Sequence, residues 1–203
     1  MISLQRHAAT VAILAAFAGA SACAAASAGE APVIPDGRDE TTVYLVRHGE
    51  KFSDTDPDPN LSARGRARAE SLAVQLRDSG VNMIITSHLK RTIQTAAPLA
   101  DLRHIRPRVI PIEPSVDFHV KRIADEILKH PGATILVVGH NNTVSKILEK
   151  ISGEQIGDLC TDEYSNLIIV SLSKGKPAKT LLETYGAPDP PAAPGGCPHI
   201  RDR

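Results

Sequence analysis

Apolar and polar positions along this chain follow two rhythms: short continuous apolar runs, and apolar residues spaced three and four apart. Val43 to Val46 is a run of the first kind, the pattern of a strand covered on both faces, and it leads into the polar stretch Arg47-His48-Gly49-Glu50. Val81 to Thr86 and Thr134 to Val138 have the same character; the first leads into Ser87-His88-Leu89-Lys90-Arg91-Thr92 and the second into Gly139-His140-Asn141-Asn142. Helical spacing lies between them. Leu61, Gly65, Ala69, Leu72 and Leu76, with Arg64, Arg68 and Arg77 elsewhere around the cylinder, predict an amphipathic helix ending at Ser79-Gly80. Ile93, Ala96, Ala97, Leu99 and Ala100 predict a second helix. Val120, Ile123, Ala124, Ile127 and Leu128 predict a third, ending at His130-Pro131-Gly132, and Val144, Ile147, Leu148 and Ile151 a fourth. Pro107, Pro111 and Pro114 leave room only for a short strand around Val109-Ile110. Leu167 to Leu172 and Thr180 to Leu182 predict two further strands joined by a turn at Ser173-Lys174-Gly175-Lys176-Pro177.

Strands that alternate with helices predict an α/β fold, a three-layer α/β/α domain with a mostly parallel central sheet and an antiparallel C-terminal edge. The domain is expected over residues 41–186, after a linker rich in Pro, Gly and charge at 29–40 and before a Pro-rich tail at 187–203. Upstream, Arg6 and His7 precede the apolar run Ala8 to Ala20 and small residues through Ala28, which reads as an export signal over 1–28. Two processing routes stay open. Ala20-Ser21-Ala22-Cys23 resembles a bacterial lipoprotein signal, which would anchor the protein to a membrane through a lipidated Cys23, and Ala26-Ser27-Ala28 is an ordinary small-x-small cleavage site. Either route predicts an exported, periplasmic protein, soluble or lipid-anchored. It leaves Cys160 and Cys197, which in an oxidising compartment form either a disulfide or two unpaired thiols.

Charge changes this picture only locally. The 23 Lys and Arg balance the 23 Asp and Glu, and Trp is absent, so neither a global field nor a stacking surface points to nucleic acid. The carboxyl ends of the three apolar strands, however, carry Arg47-His48, Arg91 and Gly139-His140, and ligands of open α/β sheets bind beyond those ends. Arg91 also falls near a helix amino terminus, where free N–H groups favour an anion. Two arginines and two histidines in one crevice make an anion site, with phosphate the leading ligand. Other phosphate-binding loops are absent: there is no Gly-x-x-x-x-Gly-Lys-Ser/Thr, and no Gly-x-Gly-x-x-Gly after a strand. Zinc on His48, His88 and His140 is disfavoured, because the arginines beside them would repel the cation. The aspartates Asp54, Asp56 and Asp58 lack the Gly and distal Glu of a calcium loop. No metal or cofactor is expected.

Arg47-His48-Gly49-Glu50 resembles the signature of the histidine phosphatase (phosphoglycerate mutase-like) superfamily. The likeness continues in Leu61-Ser62-Ala63-Arg64-Gly65-Arg66-Ala67-Arg68-Ala69, where Arg68 replaces the family's Gln. Ser87-x-Leu89-x-Arg91-Thr92-x-Gln94-Thr95-Ala96 and Val138-Gly139-His140 match two more blocks. The resemblance implies that His48 is a nucleophile that takes a phosphoryl group from a small phosphorylated substrate, with Arg47, Arg91 and His140 completing a phosphate pocket that needs no metal. It also implies a carboxylic acid as proton donor between the second arginine and the second histidine, for which Glu113 is the first candidate, Asp117 the second, and Glu50 a third outside that interval. The short segment between Thr92 and Ala133 favours hydrolysis over mutase chemistry. Two rivals are a phosphohistidine-protein phosphatase and an exported anion-binding protein without turnover. Oligomeric state is not legible in the sequence.

Overall fold

A strand that carries its own flanking chemistry sits at the middle of the sheet. The computed structural model describes residues 40–202, and in it β1 (Glu40–Arg47) lies between β4 (Thr134–Gly139), parallel to it, and β5 (Asn166–Ser173), antiparallel to it. The export signal, Cys23 and the linker up to Asp39 fall outside the described residues. With β2 (Met83–Thr86), β3 (Arg108–Val109) and β6 (Lys179–Thr184) the strands form one six-stranded sheet in the order β3-β2-β4-β1-β5-β6. The four strands from β3 to β1 run parallel to one another, and β5 and β6 form the antiparallel edge.

Side-chain alternation along these strands sorts the core into two clusters, one on each face of the sheet. Val43, Leu45, Ile135 and Val137 pack with α3 (Val116–Leu128) and α4 (Val144–Ser152) through Val120, Ile123, Ile127, Val144, Ile147 and Leu148. Val46, Leu136 and Val138 pack instead with α1 (Ala63–Gln75) and α2 (Lys90–Arg103) through Leu72, Leu76, Ala96 and Leu99. Both faces are covered, which suits the continuous runs Val43 to Val46 of β1 and Ile135 to Val138 of β4.

The helix starts show how neighbouring segments hold the site-bearing loops. Ser62 caps α1, its hydroxyl accepting from Gly65 N, while Ser62 N donates to Glu50 O at 2.8 Å. Leu89, at the N-cap of α2, offers no side-chain cap, and Asp58 substitutes by accepting from Lys90 N at 2.9 Å. That contact gives the aspartate-rich loop a structural use. The expected polar face of α1 needs one correction: Arg68 is 2% exposed, buried against Glu50 and the Tyr185 carbonyl rather than turned outward. Residues 187–202, set apart by their composition, are bonded into the same unit. Cys197 is disulfide-bonded to Cys160, and Ile200 belongs to the core cluster on the α3–α4 face.

Candidate active site

Parallel strands β1, β2 and β4 end on one side of the sheet, and three short steps there bring the chemistry together. His48 follows β1 and is fixed by its backbone, His48 N donating to Gly139 O at 3.0 Å, so the ends of β1 and β4 are stitched in register. His140 follows β4, its N–H bonded to Thr143 Oγ1 at 2.8 Å. Arg91 enters from the first turn of α2, after β2. A cavity of about 260 Å³ is lined by Arg47, His48, Arg91 and His140 together with Lys51, Asn142 and their neighbours. The two imidazole rings lie 5.3 Å apart, edge to face.

The hydrogen bonds decide which ring nitrogen of His48 is free to react. Its Nδ1 is 2.8 Å from Gly49 O, and a carbonyl only accepts, so Nδ1 carries the proton and Nε2 the lone pair. Burial lowers the His48 pKa well below the ordinary value, and His140, Arg47 and Arg91 lower it further against a smaller opposing effect from the Gly49 carbonyl. The ring is therefore neutral, with its Nε2 lone pair free. His140 is likewise pushed down to about 3, first by burial and then by Arg91, His119, Arg47 and His88. A chain of hydroxyls orients it: Thr92 Oγ1 donates to Leu89 O, Ser87 Oγ lies 2.9 Å from Thr92 Oγ1, and His140 Nε2 lies 3.0 Å from Ser87 Oγ. The consistent direction has His140 Nε2–H donating to Ser87.

Both arginines keep donors in reserve. Arg47 donates twice from Nη1, to Cys160 O at 2.7 Å and Glu163 O at 2.9 Å, and its guanidinium carbon sits 3.9 Å from the centre of the Tyr164 ring. Its Nε is buried with no partner among the described residues, and so is Nε of Arg91. A buried, unpaired donor costs about 1–3 kcal/mol, so two at one cavity mark a place built for an acceptor. Burial lowers the pKa of both guanidinium groups, for Arg91 against the opposing charge of Asp58, yet an arginine stays charged. The donor set fits a tetrahedral oxyanion.

Among the described residues no carboxylate lines this cavity. Glu113 is exposed while its neighbours Ile112 and Val116 form the wall, so the structure does not bring this first candidate acid to His48. Asp117 lies in a separate groove of about 910 Å³ beside α3 and α4, paired with Lys146 at 3.0 Å. Glu50 is held by Arg68, which donates from Nε to both carboxylate oxygens, and by Arg64 Nε at 2.9 Å. His88 is exposed, its Nδ1 accepting from Ile112 N, so the three imidazoles considered for zinc do not assemble.

A sequence model described as the histidine phosphatase superfamily (branch 1) matches residues 43–113, the stretch that holds Arg47, His48 and Arg91. Over that stretch the chain is similar to the histidine phosphatase superfamily. Similar curated proteins include an uncharacterised protein of Mycobacterium tuberculosis, 41% identical over 68 residues, which are 30% of this chain and 34% of that protein. 6-Phosphofructo-2-kinase/fructose-2,6-bisphosphatase 1 of Rattus norvegicus is 44% identical over 64 residues, 29% of this chain and 14% of that one. The chain thus spans about a third or less of these relatives. Among solved structures, the protein histidine phosphatase SixA complexed with tungstate shares the fold, with a TM-score of 0.57 at 18% identity over 70% of this chain and 96% of that chain.

The residues between the named site groups have physical tasks of their own. Thr95 accepts from Gly49 N and donates to Arg91 O, which ties the two arginine-bearing segments together. Gln94 accepts from Leu61 N and donates to Asn60, fixing the loop before α1. Sequence reasoning missed Tyr164 and Lys51. Lys51 lies four residues beyond Arg47 and was within reach of a pattern-based reading, but nothing local marks Tyr164, which meets Arg47 only through the tertiary fold.

Proposed function

We propose that this protein is a metal-independent phosphomonoester hydrolase working through a phosphohistidine on His48. The observation that carries the reading is the Nε2 lone pair of a buried, neutral His48 beside two arginines with unspent Nε donors. Nε2 attacks phosphorus, the N–P bond forms as the bond to the leaving oxygen breaks, and Arg47 and Arg91 hold the remaining oxygens as their charge redistributes. Water then attacks phosphorus, the N–P bond breaks, and inorganic phosphate leaves with His48 neutral again. The guanidinium groups supply the electrostatic stabilisation, so no step calls for a metal. Because no carboxylic acid lines the cavity, the chemistry suits leaving groups that depart as weak bases, such as phenols. The Cys160–Cys197 bond supports an exported setting, since disulfides persist in oxidising compartments.

The missing carboxyl also favours a second reading, a phosphohistidine-protein phosphatase, since an imidazolium leaves as a neutral ring. One experiment addresses both readings. The purified chain is expected to hydrolyse p-nitrophenyl phosphate in the presence of EDTA, to trap labelled phosphate on His48 under an alkaline quench, and to lose both properties in His48→Ala. Turnover that disappears with chelator, or label on a residue other than His48, would overturn the mechanism. Hydrolysis of a phosphohistidine peptide much faster than of the aryl ester would select the second reading, and vanadate binding without turnover on either would leave an anion-binding protein.

A further inference from the structure

Arg47 is held by a piece of chain that has no regular structure of its own. Both bonds from its Nη1 end on carbonyls of the segment from Cys160 to Glu163, and its stacking partner is Tyr164, next along that segment. Residues 153–165 contain neither helix nor strand, so something other than a backbone ladder must fix those carbonyls. Two buried carboxylates and one covalent bond do so. Glu163, 1% exposed, accepts from Cys160 N at 2.9 Å, from Asn166 Nδ2 at 2.8 Å and from Ile200 N at 2.7 Å. Asp189 accepts from Tyr164 N and Ser165 N at 2.9 Å and from Ser165 Oγ at 2.7 Å. Cys197 is bonded to Cys160, with a Cα–Cα distance of 5.8 Å. Asp189, Cys197 and Ile200 all belong to the Pro-rich carboxy-terminal tail.

We propose that the tail, fastened by the Cys160–Cys197 disulfide, is a positioning device for Arg47, so that the affinity of the site for a phosphoryl group depends on that bond. This rests on the reading of Arg47 as a phosphate clamp. With Nη1 tied to two carbonyls and the guanidinium plane set by Tyr164, the Arg47 head has one orientation, and its Nε and Nη2 donors are left over. When a dithiol reductant cleaves the bond, two cysteine thiols form and the reductant is oxidised to its own disulfide. The Cys160 end then loses its covalent tie to the tail, the two carbonyls are held by the Glu163 and Asp189 bonds alone, and Arg47 samples more orientations. Sites that act by orientation lose much of their effect when a group moves by a fraction of an ångström to one ångström.

The test compares the oxidised chain, the same chain reduced with dithiothreitol, and Cys197→Ala, all below their unfolding temperatures. Expected results are a roughly tenfold loss of orthovanadate affinity and of kcat/KM on reduction and in Cys197→Ala, the worth of one charge-assisted hydrogen bond. In an Arg47→Lys background the Cys197→Ala change is expected to add little, because the device acts through Arg47; fully additive losses would reduce it to general stabilisation. The Arg47 Nε–H signal in a nitrogen-edited spectrum, identified by its loss in Arg47→Lys, is expected to be sharp when oxidised and broadened when reduced. That signal reports position even if the oxidised chain binds no vanadate, an outcome that would count against the phosphatase reading instead. Should Cys197→Ala fold poorly, Asp189→Asn loosens the same segment with the disulfide intact and is expected to shift affinity in the same direction by less. Unchanged vanadate affinity together with a sharp Arg47 signal in the reduced chain overturns the proposal.

Discussion

Gly65→Ala sets two effects of opposite sign against each other. Gly65 lies in the first turn of α1, where replacing Gly by Ala ordinarily stabilises a helix by up to about 1 kcal/mol. Its position in the fold reverses the expectation. A Cβ there would overlap the Glu50 carbonyl oxygen and come within 2.8 Å of Glu50 N and 3.1 Å of Glu50 C, all of them backbone atoms that cannot swing aside. A Cβ on Gly49 would in turn meet Gly65 O at 2.7 Å, so the start of α1 and the turn after His48 rest backbone against backbone. Relieving such an overlap requires a shift of α1 or of the turn, for which overpacking costs of about 1–3 kcal/mol, and sometimes more, are typical. The steric effect wins, and we expect a net loss of about 1–2 kcal/mol. Activity is expected to fall more steeply, by as much as about 100-fold, because Glu50 is two residues from His48 and Gly49 O holds the His48 tautomer. Urea unfolding with parallel kcat/KM on an aryl phosphate measures both. Ala67→Gly on the exposed face of α1 calibrates propensity in this helix and should cost about 1 kcal/mol or less with activity unchanged. A Gly65→Ala variant as stable and as active as the parent would refute the close-approach argument.

Two further outcomes follow from the charged and titrating groups. Arg68→Met should lower stability by about 2–3 kcal/mol, below the usual cost of breaking a buried pair because Glu50 is 14% exposed and keeps Arg64; a urea midpoint within error of the parent would show the pair to be dispensable. His48 and His140 have folded pKa values below 6.5, so the unfolded chain binds more protons in mildly acid solution. Their stabilisation is complete above about pH 6.5 and is lost as pH falls toward the His140 value of about 3, at up to about 1.4 kcal/mol per pH unit for each ring. Urea midpoints between pH 7 and 5 should show this slope, and His140→Asn should reduce it; an unchanged slope in that variant would refute the assignment.

What the sequence could and could not reveal follows from the range of the interactions. The runs Val43 to Val46 and Thr134 to Val138 are legible because burial on both faces is written residue by residue, and the order of strands and helices then places Arg47, His48, Arg91 and His140 at one sheet edge. Helical periodicity puts Arg68 on the outer face of α1 because it treats every arginine as polar. Its partners Glu50 and Tyr185 lie 18 and 117 positions away. A proline-rich loop points to Glu113 as a site residue, yet Ile112 of that loop and Val116 at the start of α3 line the cavity while Glu113 is exposed. The hold on Arg47 spans 113 and 116 positions, to carbonyls that have no side-chain signature at all.

The long-range contacts also explain how a chain of zero formal net charge can concentrate positive character at one place. Carboxylates near the site are committed elsewhere: Glu50 to Arg68 and Arg64, Asp58 to Lys90 N, Glu163 to Cys160 N, Asn166 and Ile200 N, and Asp189 to Tyr164 N and Ser165. Their oxygens face backbone donors, an asparagine or hydroxyl side chain, or a structural arginine, with Asp58 alone also reaching a site arginine, 4.0 Å from Arg91 Nη1, while the cavity is lined by Arg47, Arg91, Lys51 and two imidazoles. An excess of acceptors is thus buried behind the site and an excess of donors is left at its surface. Arg68, standing where the superfamily has Gln, serves the same division. Without its three bonds to Glu50, the carboxylate nearest along the chain to Arg47 and His48 would be held by Arg64 alone and free to compete with a phosphoryl oxygen for the donors the cavity keeps unspent.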